Sequence, residues 1–107
     1  MEINQYDITW VNLDPTVGSE IKKTRPCVVI SPDEMNKYLN TVVIAPVASQ
    51  SKSYPTRVNF KNKNISGWIV LDQVRTIDKR LIIKVAGKLS IQAIESVKQI
   101  IKETYVD

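Results

Sequence analysis

Two apolar segments and the polar run between them decide the fold. These are Tyr6-Asp7-Ile8-Thr9-Trp10-Val11-Asn12-Leu13, then Asp14-Pro15-Thr16-Val17-Gly18-Ser19-Glu20-Ile21-Lys22-Lys23-Thr24, then Arg25-Pro26-Cys27-Val28-Val29-Ile30-Ser31. The first mixes aromatic, β-branched and polar residues at short period until Asp14-Pro15 stops it, which reads as a strand. The last is an almost unbroken apolar run bounded by Ser31-Pro32, which suits a strand covered on both faces. A polar loop therefore joins two strands, and short strands set the pattern for the rest of the chain.

Downstream, Ser31-Pro32-Asp33-Glu34 is a helix-start signal: a serine cap, proline at the first position, then acids that complement the helix dipole. Only about two turns fit before Asn40. Thr41 to Ala48 reads as a third strand, in which Pro46 requires an edge or a bulge. Ser49 to Pro55 is a polar loop, Arg57 to Phe60 a strand, Lys61 to Asn64 a turn, Gly67 to Val74 another strand, and Ile82 to Leu89 a last one interrupted by Gly87. From Ser90 the period changes. Ala93, Ile94, Val97, Ile100 and Ile101 recur at helical spacing behind a Ser90 cap, and Glu95 is placed to pair with Lys98. About six short strands and one amphipathic helix predict a mainly β fold, a small β-barrel closed by a C-terminal helix. Residues 1–107 are expected to form one domain.

Composition narrows the chemistry. Histidine is absent and Cys27 is the only cysteine, so a His-based acid/base pair, a serine–histidine dyad, an intrachain disulfide and a His- or Cys-ligated metal are all excluded. Catalysis would have to run on Arg, Lys, Asp, Glu, Ser, Thr or Tyr. The lone cysteine, the polar start and the lack of a long apolar run fit a cytoplasmic protein. Fifteen Lys and Arg against 11 Asp and Glu give a net charge of +4, which favours an acidic partner but is also common among proteins that bind none.

Arg25 is the leading functional residue. Pro26 biases it toward an extended backbone, and its guanidinium is a planar fork of donors suited to phosphate oxygens. Taken alone it reads more readily as a clamp on Glu20 or on a strand-end carbonyl. Lys22, Lys23, Lys52, Arg57, Arg75, Lys79 and Arg80 are candidates for a basic groove if the barrel loops converge, whereas Lys61 and Lys63 read as solvated surface. Tyr54 and Trp68 are candidate base-stacking platforms, Tyr54 the more so in its polar loop before Pro55; Trp68 and Trp10 lie in strand patterns, which favours core packing for both. Ser49, Gln50 and Ser51 offer donors and acceptors, Asp72-Gln73 interrupts an apolar strand, and Asp78 reads as a turn partner of Arg75.

Four blocks resemble the MazF/PemK toxins: Trp10 to Thr16 with Gly18-Ser19-Glu20; Thr24-Arg25-Pro26 with Ile30-Ser31-Pro32; Val43 to Val47; and Leu71 to Lys79. The resemblance implies an SH3-like barrel that dimerises and cuts single-stranded RNA at short sequences without a metal or other cofactor. It implies attack by the RNA's own 2′-hydroxyl, giving a cyclic phosphate, and an acidic antitoxin tail laid over the same groove. It makes Arg25 catalytic. Many members carry a threonine where this chain has Ala48, so Ser49 is the expected hydroxyl helper, and Val70 stands where a subgroup has arginine. The RNA-binding residues expected on this basis are Ser19, Glu20, Lys22, Lys23, Thr24, Gln50, Lys52, Tyr54, Asp72, Gln73 and Arg75. The alternative is the same barrel holding RNA or an antitoxin without turnover, and Ala48 is the residue that favours it. A gyrase-poisoning toxin of the same barrel is the third class, against which the Arg25-Pro26 loop argues.

Overall fold

The computed structural model describes residues 1–13 and 24–107. Their strands are β1 (Asp7–Asn12), β2 (Thr24–Val29), β3 (Thr41–Ala48), β4 (Arg57–Lys61), β5 (Ser66–Val70), β6 (Arg75–Asp78) and β7 (Ile82–Lys88). A short helix α1 (Asp33–Tyr38) joins β2 to β3, and α2 (Ile91–Ile101) follows β7 and runs into a π-helical turn, Lys102–Val106. The fold is mainly β with a C-terminal helix, as the patterning predicts. Strand order is β4-β5-β3-β2-β1-β7, with β6 also on β3. The terminal strands β4 and β7 do not pair, so the sheet is an open rather than a closed barrel.

The sheet turns on β3. Its first half, Thr41 to Ile44, pairs with β6, and its end, Val47-Ala48, pairs with β5. Pro46 falls in the gap between the two neighbours, where its missing N–H is tolerated in an otherwise central strand. Along β2 the side chains alternate between two cores: Val28 packs with Ile8, Ala45, Val47, Val58 and Ile69, whereas Cys27 and Val29 pack with Val11, Val42, Ile44, Ile77 and Ile82. This is the two-sided burial predicted from the unbroken apolar run.

The first core is closed by α2. Ser90 is its cap, accepting the Ala93 N–H at 3.1 Å, and Val97 is fully buried with Ala93, Ile94, Ile100 and Ile101 beside it. Glu95 and Lys98 do not pair; the two ion pairs among the described residues are Arg57–Asp72 and Arg80–Asp78. In β5, Gly67 (φ +156°) lies so close to β3 that a Cβ there would sit 2.5 Å from the Ala48 carbonyl oxygen.

Other local expectations give way to tertiary contacts. Pro32, not Ser31, is the cap of α1, and it makes no side-chain cap bond. The Ser31 hydroxyl instead donates to Asn36 Oδ1 and accepts the Val43 N–H at 3.0 Å, tying α1 to β3. The expected strand from Gly67 to Val74 ends at Val70; a 3₁₀ turn, Leu71–Gln73, follows, and a separate strand β6 begins at Arg75. Asp78 consequently turns away from Arg75 and binds Arg80 at 2.8 Å. Lys79 is spent on α1, donating from Nζ to the Asn36 and Leu39 carbonyls at 2.6 and 2.8 Å. Among the described residues no helix is long and apolar enough to cross a membrane.

Candidate functional site

Arg25 is the second residue of β2, exposed, and paired in register with Val11 of β1. Beside it β3 runs out at Ala48, and the chain enters the polar loop at Ser49. Thr24, Arg25, Pro26, Val47 and Ser49 together line one cleft of about 370 Å³. The structure thus brings together the arginine and the hydroxyl that the sequence places 24 residues apart, using the antiparallel β2–β3 pairing (Cys27 opposite Pro46) to do so. Ala48 itself pairs with Trp68 of β5.

A second arginine belongs to the same side of the sheet. Arg75 opens β6 opposite Ile44, which shares a face with Cys27 and hence with Arg25. The Cys27 thiol between them reports this field. Burial pushes its pKa up to about 12, and the positive charges of Arg75 and Arg25 pull against that rise without overcoming it. The thiol is therefore neutral and unreactive at physiological pH.

The loop after Ser49 is fixed by Arg57, the first residue of β4. Its Nη1 donates to Ser51 Oγ at 2.7 Å, while Nε and Nη2 grip the two oxygens of Asp72 at 3.2 and 3.3 Å. Thr56 Oγ1 donates to the same carboxylate at 2.8 Å. The guanidinium also lies 4.7 Å from the centre of the Tyr54 ring. The hydrogen bond from Arg57, ahead of that from Thr56, holds the Asp72 carboxyl below the usual carboxylate range. On the other side, the Tyr105 hydroxyl donates to the Leu71 carbonyl, so the 3₁₀ turn bearing Asp72 is tied to the C-terminal helix as well. Between the β4–β5 face and α2 lies an open groove of about 630 Å³, lined by Arg57, Trp68, Glu95, Gln99 and Ile100 among others. Trp68 is a half-buried wall of this groove, whereas Trp10 packs on the first core.

The site residues expected from sequence separate by location. Thr24, Arg25 and Ser49 share the cleft. Gln50, Lys52 and Tyr54 are exposed on the following loop, Asp72 and Gln73 on the 3₁₀ turn, and Arg75 on β6. Ser19, Glu20, Lys22 and Lys23 lie outside the described residues. The basic groove is smaller than the sequence suggests, since Arg57, Lys79 and Arg80 are engaged by Asp72, the end of α1 and Asp78. In the sequence Arg57 is only one more cation. Its partner Asp72 lies 15 residues away, and only the β4–β5 register, which sets Arg57 opposite Val70, brings the two together.

An open antiparallel sheet with a helix on one core, and an arginine–hydroxyl cleft at the end of its central strand, defines a small basic β protein suited to anionic ligands. The chain belongs to the PemK-like, MazF-like toxins of type II toxin–antitoxin systems, whose family model matches residues 4–105. It is 39% identical over 71 residues to the endoribonuclease toxin MazF of Escherichia coli K12, a match covering 66% of this chain and 64% of that protein, just under two thirds of its length. The fold is that of MazF from Deinococcus radiodurans, with a TM-score of 0.80 at 24% identity over 96% of both chains. It also matches a mycobacterial endoribonuclease solved with its cognate antitoxin, with a TM-score of 0.81 at 14% identity, covering 94% of this chain and 92% of that one.

Proposed function

We propose that this chain is an endoribonuclease toxin that cuts single-stranded RNA without a metal ion, and that the cleft of Arg25 and Ser49 is where it cuts. The observation that carries this reading is the convergence of Arg25, Thr24 and Ser49 on one cleft. In the proposed reaction the RNA 2′-oxygen forms a bond to the adjacent phosphorus and the P–O5′ bond breaks. One proton leaves the 2′-oxygen and one reaches the 5′-oxygen, so the products are a cyclic phosphate and a 5′-hydroxyl with no water consumed. The contribution of Arg25 is electrostatic: its fork of donors meets the extra negative charge on the phosphorane. Ser49 supplies a hydroxyl to the same phosphate. Arg75, Gln50, Lys52 and Tyr54 bind the flanking nucleotides, with Ser19, Glu20, Lys22 and Lys23 of the first loop. The active form is a homodimer, and its inhibitor is an antitoxin whose acidic tail covers the basic cleft; the mycobacterial endoribonuclease solved with its cognate antitoxin supports an antitoxin as partner.

The decisive experiment is digestion of a long RNA in EDTA, with the cut ends mapped. Wild type is expected to leave cyclic phosphate and 5′-hydroxyl ends, and Arg25→Ala to slow cleavage on the order of 100-fold or more, the scale of losing one transition-state donor. Undiminished cutting by Arg25→Ala would remove Arg25 from the chemistry. A second reading is favoured by one residue: Ala48 offers no hydroxyl at the end of β3. On that reading the chain binds RNA or antitoxin without turnover, wild type leaves RNA intact, and Ala48→Thr introduces cleavage.

A further inference from the structure

Arg57 has no place in the reaction just proposed, yet its guanidinium has three partners, Asp72, Ser51 and the Tyr54 ring. It joins three pieces of chain: the loop carrying Ser49, Gln50, Ser51 and Tyr54; the start of β4; and the 3₁₀ turn Leu71–Gln73. Its donors are used as a fork on Asp72 and a separate bond to Ser51, and its guanidinium is set against the Tyr54 ring. The loop backbone folds tightly around this point, with the Tyr54 N–H on the Lys52 carbonyl at 2.8 Å and the Arg57 N–H on the Tyr54 carbonyl at 3.1 Å. Tyr54 is nonetheless 47% exposed. A tyrosine backed on one side by a held cation and still open to solvent is a rigid aromatic surface, the kind of platform on which a nucleobase stacks.

We infer that Arg57 is a specificity-determining positioning residue: it holds the Ser49–Tyr54 loop in one conformation and backs Tyr54 as the stacking platform for a base next to the scissile phosphate. The inference rests on the RNA reading above and extends it from the chemistry at Arg25 to the choice of sequence. The ligand is a single-stranded ribonucleotide segment. Tyr54 touches it; Arg57 acts through Tyr54 and Ser51. Asp72 acts here as the holder of Arg57: both its oxygens accept hydrogen bonds from Arg57, and one of them from Thr56 too.

The test compares wild type, Arg57→Ala, Tyr54→Phe, Tyr54→Ala and the double variant Arg57→Ala/Tyr54→Ala. Sites cut in a long RNA are mapped, and kcat and KM are separated on a short RNA cut by wild type. Arg57→Ala is expected to raise KM about tenfold, the scale of one base stack, and to cut sites that wild type ignores, while kcat falls less than about threefold. Tyr54→Ala should match it, Tyr54→Phe, which keeps the ring, should raise KM less than Tyr54→Ala, and the double variant should be no worse than either single one. An unchanged site list and KM in Arg57→Ala overturns the inference, and so does a double variant whose KM rise is the product of the single ones. Should wild type bind but not cut, the cleavage reading fails separately. Anisotropy of a fluorescent RNA with 2′-deoxy substitution then decides: weaker binding by Arg57→Ala upholds the platform, while equal binding, or no binding by wild type, overturns it.

Discussion

Cys27 shows how much one side chain inherits from its place in the sheet. In sequence Cys27 lies two residues after Arg25, with Pro26 between them. In the fold it is fully buried between β1 and β3, and burial outweighs both arginines in setting its pKa near 12. The folded value lies above that of an unfolded chain, about 8.5. The stability gained by keeping the thiol neutral is therefore complete below about pH 8.5 and is lost as pH rises toward 12. Iodoacetamide at about pH 8, near the unfolded thiol's pKa, is expected to leave the native protein unlabelled and to modify the unfolded chain fully. Rapid labelling of the native protein would contradict this burial. Gly67 makes a second prediction at this scale. A methyl group there meets the Ala48 carbonyl oxygen at 2.5 Å and a positive φ, so Gly67→Ala should destabilise by about 2–3 kcal/mol, measured by urea unfolding.

At the scale of elements, α2 is where local sequence and tertiary structure agree most closely. Its cap, its stripe and its buried Val97 all follow from Ser90 and the spacing after it. Ser90→Ala should cost about 1 kcal/mol of stability, because the Ala93 N–H loses its acceptor, and Ser90→Asp should recover most of it. The strands before α2 were legible wherever period and punctuation agreed: β3 runs Thr41–Ala48 as its pattern predicts, and β7 differs only at its end. Legibility failed between Val70 and Arg80. The apolar run Trp68 to Leu71 gives no sign that the chain turns at Leu71, because the turn is set by contacts from outside the run, Asp72 to Arg57 and the Leu71 carbonyl to Tyr105. The same holds for the site. Arg25 was singled out by the four blocks that resemble the toxin family, whereas Arg57 became informative only when strand pairing supplied Asp72.

For the molecule as a whole, a net charge of +4 says less than where the charges are committed. Arg80 is held by Asp78, whose carboxyl that arginine's hydrogen bonds lower to about 2, and Arg57 is held by Asp72. Arg25 on β2 and Arg75 on β6 stand instead on one side of the sheet, flanking the end of the second core, and both are exposed. An RNA strand crossing the cleft would meet these two and displace counterions as it bound. Each phosphate neutralised on a single strand adds about −0.7 to the slope of log affinity against log salt. With an uncleavable 2′-deoxy oligonucleotide titrated across salt concentrations, Arg25→Ala and Arg75→Ala should each flatten that slope by about 0.7, and Arg80→Ala should leave it where it was. A slope changed equally by all three would mean that binding senses total charge alone, and the sidedness of the sheet would not be what gathers the RNA.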